Sequence, residues 1–129
     1  MSAEPSRILL VDDNPLMLDH HAVMLRVAGF SVRAENNRRD AMRALASYRP
    51  HLIASDIRME RMDDGYVLCR QVRSDPDIED IPIILYSAQD VTTETRNQAQ
   101  SAGATAILMT LPGIDWLVRE IRSVLSLPQ

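Results

Sequence analysis

Lysine is absent from this chain of 129 residues, because all 14 basic side chains are arginines. Cysteine occurs once, as Cys69, which excludes an internal disulfide and a cysteine-rich zinc site. No apolar run approaches the ~20 residues of a membrane-spanning helix, and the first residues include no apolar signal core. We therefore expect a cytoplasmic protein that has no contact with a membrane.

An excess of positive charge is also missing. The 14 basic and 18 acidic side chains give a net charge of −4, which argues against nucleic acid binding driven by charge alone. Hydrophobic residues make up 46% of the chain and charged residues 25%, the balance of an ordinary globular protein. The length suits a single domain over residues 1–129 with a sizeable core.

Two kinds of segment alternate along the chain. Near-continuous apolar runs of strand length predict strands that are covered on both faces. One further segment alternates apolar and polar residues, which is typical of an edge strand with one wetter face. In chain order the predicted strands are Ile8–Val11, the alternating Ser31–Glu35, Leu52–Ala54, Ile83–Tyr86 and Ala106–Met109.

Segments with helical periodicity lie between these strands. In the first, Asn14 is placed to cap the helix, Pro15 takes the first helical position, and Gly29 ends it. We expect the buried face of this helix to consist of Met17, Met24, Leu25 and Ala28. The other predicted helices are Arg38–Tyr48, Gly65–Arg73, the strongly polar Thr92–Ala102, and Ile114–Leu125.

Strands that alternate with helices predict an α/β fold, a five-stranded parallel sheet with helices on both faces. Ligand sites in such folds lie beyond the carboxyl ends of the strands. Asp12 and Asp13 end the first strand, Asp56 the third and Ser87 the fourth. If the first crossovers reverse around strand one, the three carboxylates meet in one cleft.

Carboxylates a few ångströms apart raise one another's pKa unless a cation lies between them. Magnesium suits such a cluster, and a carboxylate beside it can act as a nucleophile toward phosphorus. The hydroxyl of Ser87 is placed to bind oxygens of the transferred group. Taken singly, each residue has a simpler interpretation. Asp12 and Asp13 could be nothing more than helix-capping residues, and Asp56 could be nothing more than a turn residue. Together they predict a metal-assisted phosphoryl site.

Five stretches of the chain are typical of one family: Arg7–Pro15, Leu52–Met59, Met62–Arg70, Asp75–Ile84 and Ser101–Ala104. They make the chain resemble the receiver domains of two-component response regulators from about Arg7 to Leu127. The resemblance implies a flavodoxin-like receiver fold with strand order 2-1-3-4-5 and a signalling module rather than an enzyme. This order agrees with the edge position predicted for the second strand.

The resemblance also implies roles for individual residues. Asp56 would accept a phosphoryl group from a phosphohistidine on a sensor histidine kinase or a phosphotransfer protein. Asp13 and Asp56 would ligate Mg²⁺, Asp12 would assist through water, and the backbone carbonyl of Arg58 would be a further ligand. Ser87 would engage the phosphoryl group. An output domain or partner protein, and pairing into a homodimer, are further expectations for a receiver.

Three departures from the family pattern qualify these roles. The family places a lysine before a proline at the end of strand five, where Thr110 and Leu111 precede Pro112 here. Glu60 replaces a proline in the loop after Asp56, and Gly65 follows Asp56 by nine residues instead of eight. Strand five carries Ile107 where the family has an aromatic switch residue.

Two functional hypotheses therefore stay open: a working phosphoacceptor and a pseudo-receiver that signals through protein contacts without phosphorylation. Three carboxylates and one Mg²⁺ leave a charge near −1, which a lysine would cancel. The side chain of Arg58 could supply that charge, or it could be simply an exposed residue at the rim of the cleft. A flavodoxin-type flavin module would need a phosphate-binding loop after strand one, where this chain has acids. A phosphatase with an aspartate nucleophile would space its first two acids by one residue.

Overall fold

The computed structural model describes residues 4–129. Five parallel strands form one sheet in the order β2-β1-β3-β4-β5, and every strand except the last leads to the next through a helix that crosses back over the sheet. The strands are β1 Arg7–Val11, β2 Ser31–Glu35, β3 Leu52–Asp56, β4 Ile83–Ser87 and β5 Ala106–Met109. The helices are α1 Pro15–Val27, α2 Arg38–Ala44, α3 Asp64–Arg73, α4 Thr93–Ala102 and α5 Asp115–Val124. This confirms the predicted α/β fold and strand order.

The apolar residues of the central strands divide into two layers because successive side chains point to opposite faces of the sheet. One layer packs beneath α1 and α5 and includes Leu10, Ala54 and Ile84. The other packs beneath α2, α3 and α4. Cys69 lies fully buried in the second layer, and burial raises the pKa of its thiol to about 12, as befits a small apolar core residue rather than a nucleophile.

The first helix has its predicted cap, and its buried face matches the prediction at Leu25, which is buried, and at Met24 and Ala28, which pack against the core. The side-chain oxygen of Asn14 accepts hydrogen bonds from the backbone N–H groups of Leu16 and Met17 at 3.1 and 3.2 Å. Met17 is 39% exposed, so its predicted place in the core is wrong. The buried positions are Leu18, His21, Ala22 and Leu25. Because His21 is polar, the buried positions of α1 do not form a regular apolar pattern in the sequence.

The second helix is shorter than predicted, since it ends at Ala44 instead of Tyr48. Its last turn tightens, because the N–H of Ser47 donates to the carbonyl of Ala44 three residues earlier. The polar α4 forms as expected, with a capping box in which the side chains of Thr92 and Thr95 bind each other's backbone N–H. Within residues 4–129 no helix combines the length and apolar character needed to span a membrane.

Candidate functional site

Strand alternation brings two acidic residues to one face of the sheet at the carboxyl ends of neighbouring strands. Asp12 follows the buried Leu10 by two residues, and Asp56 follows the buried Ala54 by two. Leu10 and Ala54 are partners in the β1–β3 register and pack beneath α1 and α5. The two acids therefore project from the same end and the same face of the sheet.

Asp12, Asp13 and Asp56 form one carboxylate cluster. Each supplies a carboxylate oxygen, and these oxygens all lie within 4.8 Å of one another. Asp12 is 2% exposed, Asp56 is half-buried and Asp13 is open to solvent. An oxygen-only donor set that is buried at one side and open at the other fits a hard divalent cation that keeps part of its water shell.

The crowding of the cluster changes its protonation. Burial, and next the charge of Asp12, raise the pKa of Asp56 to about 7, against the opposing effect of the backbone N–H groups of Ile57 and Arg58. Burial also raises the pKa values of Asp12 and Asp13, and the charge of Asp12 adds to the rise at Asp13. The cluster thus binds protons near neutral pH and would release them to a divalent cation.

Asp12 has two fixed hydrogen-bond partners. The backbone N–H of Asn14, the residue that caps α1, donates to Oδ1 of Asp12 at 3.0 Å. The hydroxyl of Tyr86 donates to Oδ2 at 2.8 Å. Tyr86 follows Ile84 by two residues and therefore lies on the same face of the sheet as Asp12. It is the partner of Asp56 in the β3–β4 register. The sequence indicated only a packed strand residue here, so the contact with the cluster was missed.

Several cavities lie at this end of the sheet, and two of the three cluster residues line one of them. Asp12, Asp56 and Tyr86 line a cavity of about 300 Å³ that α1 and the β5–α5 loop close. Ser87 and Arg58 line a groove of about 910 Å³ between α3 and α4. We call the first of these the carboxylate cavity, because Asp12 and Asp56 both line it.

Ser87 and Arg58 reach the same end of the sheet from the opposite face. The side-chain oxygen of Ser87 accepts the N–H of Gln89 at 3.1 Å, which leaves the hydroxyl proton free for donation. The guanidinium of Arg58 lies in solvent along the groove. Among the described residues, no arginine lines the carboxylate cavity. The interpretation of Arg58 as an exposed residue at the cleft rim therefore fits better than a cation within the cluster.

The loop from β3 to α3 is held by contacts that the sequence did not predict. Asp64 is 4% exposed, and its side chain accepts hydrogen bonds from the N–H of Arg61 at 2.9 Å and from Nε of Arg38 at 3.2 Å. A Cβ atom at Gly65 would lie 2.7 Å from the carbonyl oxygen of Asp56. The first turn of α3 therefore packs directly on the backbone that carries Asp56.

The end of β5 supplies the remaining wall of the cavity. The N–H of Thr110 donates to the carbonyl of Ser87 at 2.9 Å, which extends the β4–β5 pairing past Met109. Strand alternation places Thr110 on the face of Leu108 and hence of Tyr86. Leu111 is 51% exposed. Both candidates for the lysine position line the cavity, and strand alternation directs Thr110 toward the cluster's face.

The chain matches a sequence family over most of its length. The model of the response regulator receiver domain covers residues 8–119. The response regulator MprA of Mycolicibacterium vanbaalenii is 35% identical over 121 residues, which are 94% of this chain and 51% of that protein. This chain thus spans about half the length of the curated relatives it matches.

Solved structures show the same likeness. The signal receiver domain of a signal transduction histidine kinase from Syntrophus aciditrophicus superposes with a TM-score of 0.83 at 31% identity, covering 94% of this chain and 90% of that one. The receiver domain of a sensor histidine kinase from Pseudomonas aeruginosa superposes with a TM-score of 0.82 at 27% identity, covering 95% and 98%. That structure has a magnesium ion coordinated in its active site cleft.

Proposed function

The chain belongs to the response regulator receiver family, whose members are signalling modules rather than catalytic enzymes, and on that basis we propose that Asp56 is its phosphoacceptor. The donor is a phosphohistidine on a sensor histidine kinase or a phosphotransfer protein. The single observation that carries this proposal is the cluster of Asp12, Asp13 and Asp56 at the carboxyl ends of β1 and β3. In this cluster Asp56 is half-buried, and backbone N–H groups point at its carboxylate.

The oxygen donors of the cluster fit Mg²⁺. Asp13 and Asp56 would hold the ion directly, Asp12 would act through water, and the backbone carbonyl of Arg58 would complete the protein's share. Magnesium bound there supplies positive charge that offsets the negative charge of the transferred group. The related magnesium-containing receiver from Pseudomonas aeruginosa supports this choice of ion.

Phosphoryl transfer needs an ionised nucleophile and donors for the phosphoryl oxygens. A carboxylate oxygen of Asp56 attacks phosphorus while the bond from phosphorus to the histidine nitrogen breaks, and the imidazole leaves with that electron pair. The N–H groups of Ile57 and Arg58 favour the ionised form of Asp56. The hydroxyl of Ser87, whose proton is free, donates to an oxygen of the transferred group.

A second candidate is a pseudo-receiver that signals by protein contacts alone. The observation that favours it is the complete absence of lysine, which leaves three carboxylates and one divalent ion with a charge near −1. The phosphorylation experiment described below distinguishes the pseudo-receiver from the phosphoacceptor. A sensor histidine kinase or phosphotransfer protein as partner, an output domain or partner protein, and pairing into a homodimer belong to the whole protein, and we propose them from family membership alone.

Incubation of the chain with acetyl phosphate and Mg²⁺, followed by intact-mass measurement and peptide mapping, tests the proposal. We expect one added phosphoryl group on Asp56, lost in Asp56→Asn and retained in Asp63→Asn, which neutralises a nearby exposed acid. Modification that needs no Mg²⁺, or that maps to another residue, would contradict the phosphoacceptor role. No adduct with either acetyl phosphate or beryllofluoride would favour the pseudo-receiver.

A further inference from the structure

The hydroxyl of Tyr86 is buried beside the carboxylate cluster. Tyr86 is 1% exposed, and its hydroxyl lies 2.8 Å from Oδ2 of Asp12 and 3.4 Å from the carbonyl oxygen of Val11. A hydroxyl has one proton, and the shorter distance assigns it to Asp12. We propose that Tyr86 is a positioning residue that holds Asp12 in the orientation needed for divalent-cation binding. This inference rests on the proposed Mg²⁺ site.

The ring of Tyr86 is fixed independently of any metal. It packs edge-to-face against Trp116 at 5.6 Å and against His21 at 5.8 Å between ring centroids. Trp116 is itself held, since its indole N–H donates to the carbonyl of Gly113 at 3.0 Å. Because α1 and α5 supply these two neighbours, the position of the hydroxyl is set by the packing of the core.

The two donors to Asp12 leave its carboxylate little freedom to rotate. The N–H of Asn14 binds Oδ1 and the Tyr86 hydroxyl binds Oδ2, so both oxygens are oriented. Each oxygen keeps a second lone pair for a metal-bound water. The Tyr86 hydroxyl is neutral, so it orients the carboxylate of Asp12 without cancelling its charge.

A purely structural role for Tyr86 makes a different prediction. If the ring only filled the core, Tyr86→Phe would preserve its packing, and removal of the hydroxyl would not change Mg²⁺ binding. If the hydroxyl acts through Asp12, its removal weakens Mg²⁺ binding, and the effect disappears once Asp12 is replaced. A double-mutant cycle separates the two roles.

Mg²⁺ titration of the full chain, followed by the fluorescence of its single tryptophan, supplies the measurement. We expect Tyr86→Phe to raise the Kd for Mg²⁺ about tenfold. Tyr48→Phe is the matched control, because Tyr48 lies in the segment that enters β3 at the opposite end of the sheet, and its Kd should equal that of the wild type. In an Asp12→Asn background, Tyr86→Phe should change the Kd less than twofold.

An unchanged Kd in Tyr86→Phe would overturn the inference, as would an equal effect with and without Asp12. Urea unfolding checks that each variant is folded. If the Tyr86→Phe variant does not fold, the inference can still be tested on the wild type by NMR. The signal of the Tyr86 hydroxyl proton should shift when Mg²⁺ is added, and a signal that does not shift refutes the positioning role. Wild type that binds Mg²⁺ but accepts no phosphoryl group would refute only the proposed function, whereas wild type that binds no Mg²⁺ refutes this inference.

Discussion

Crowding of the carboxylates predicts that the stability of the metal-free protein falls as pH rises. The pKa of Asp56 is about 7, raised by burial and by Asp12 from an ordinary 3.8. A carboxyl group whose pKa is higher in the folded state stabilises the fold fully below about pH 4, and this stability is lost as pH rises through about 7. Asp56→Asn keeps the shape of the side chain and removes this dependence.

The magnitude follows from the pKa difference. At about 1.36 kcal/mol per pKa unit, a rise from 3.8 to about 7 corresponds to at most about 4 kcal/mol. Asp56 is half-buried, and solvent screening reduces this to about 2 kcal/mol. We therefore expect Asp56→Asn to exceed the wild type in free energy of unfolding by about 2 kcal/mol at pH 8.5, and to match it near pH 4.

Urea unfolding with a chelator present, repeated from pH 4 to 8.5, measures this difference. Asp19→Asn is the control, since it neutralises an exposed acid on α1 that lies outside the carboxylate cluster. Mg²⁺ at about a hundred times its Kd should then add about 2.7 kcal/mol to the wild type at pH 8.5 and much less to Asp56→Asn. Parallel pH curves for wild type and Asp56→Asn would refute the reasoning.

Three further predictions concern the surroundings of the cluster. Gly65→Ala should lower the free energy of unfolding by about 1–3 kcal/mol in urea, because the new Cβ would press on the backbone of Asp56. Arg38→Gln should cost about 1–2 kcal/mol in the same assay, since it leaves the buried Asp64 without its ion-pair partner. Thr110→Lys should speed phosphoryl uptake from acetyl phosphate about tenfold, measured by intact mass over time, because it brings a cation to the face of the cluster.

Each of these predictions has a control or a result that would contradict it. Arg43→Gln breaks an exposed ion pair with Asp40 and should change stability by less than about 0.5 kcal/mol. Thr110→Met matches the added chain of lysine without its charge, so a similar acceleration in both variants would contradict the electrostatic argument. A Gly65→Ala protein as stable as the wild type would show that the loop relaxes freely.

The sheet was predictable because its signal is local. The continuous apolar run Ile83–Tyr86 is buried on both faces as predicted, and the alternating Ser31–Glu35 marked an edge strand that the structure confirms. The apolar run Ala106–Met109 was predicted to be covered in the same way, but it forms the other edge of the sheet, and Met109 is exposed. Asp12 and Asp56 could be placed together because parallel strands end at one edge. The roles assigned to Ser87 and to the Arg58 carbonyl stay predictions that the experiments above address.

Features that depend on distant partners were missed. Tyr86 is read from sequence as a strand residue, and its hydrogen bond to Asp12 arises only when residues 74 apart meet in the fold. His21 interrupts the apolar stripe of α1, although its ring packs against both Tyr86 and Trp116 and is buried like an apolar side chain. The shared strand alternation of Tyr86 and Asp56 was the signal that could have pointed to the contact.

A crystal structure of the chain grown with Mg²⁺ and beryllofluoride tests the central claim most directly. The account predicts beryllofluoride bonded to a carboxylate oxygen of Asp56, with Mg²⁺ ligated by Asp13 and Asp56 and with the Tyr86 hydroxyl still on Asp12. Beryllofluoride absent from Asp56, or Mg²⁺ bound away from these three aspartates, would contradict it.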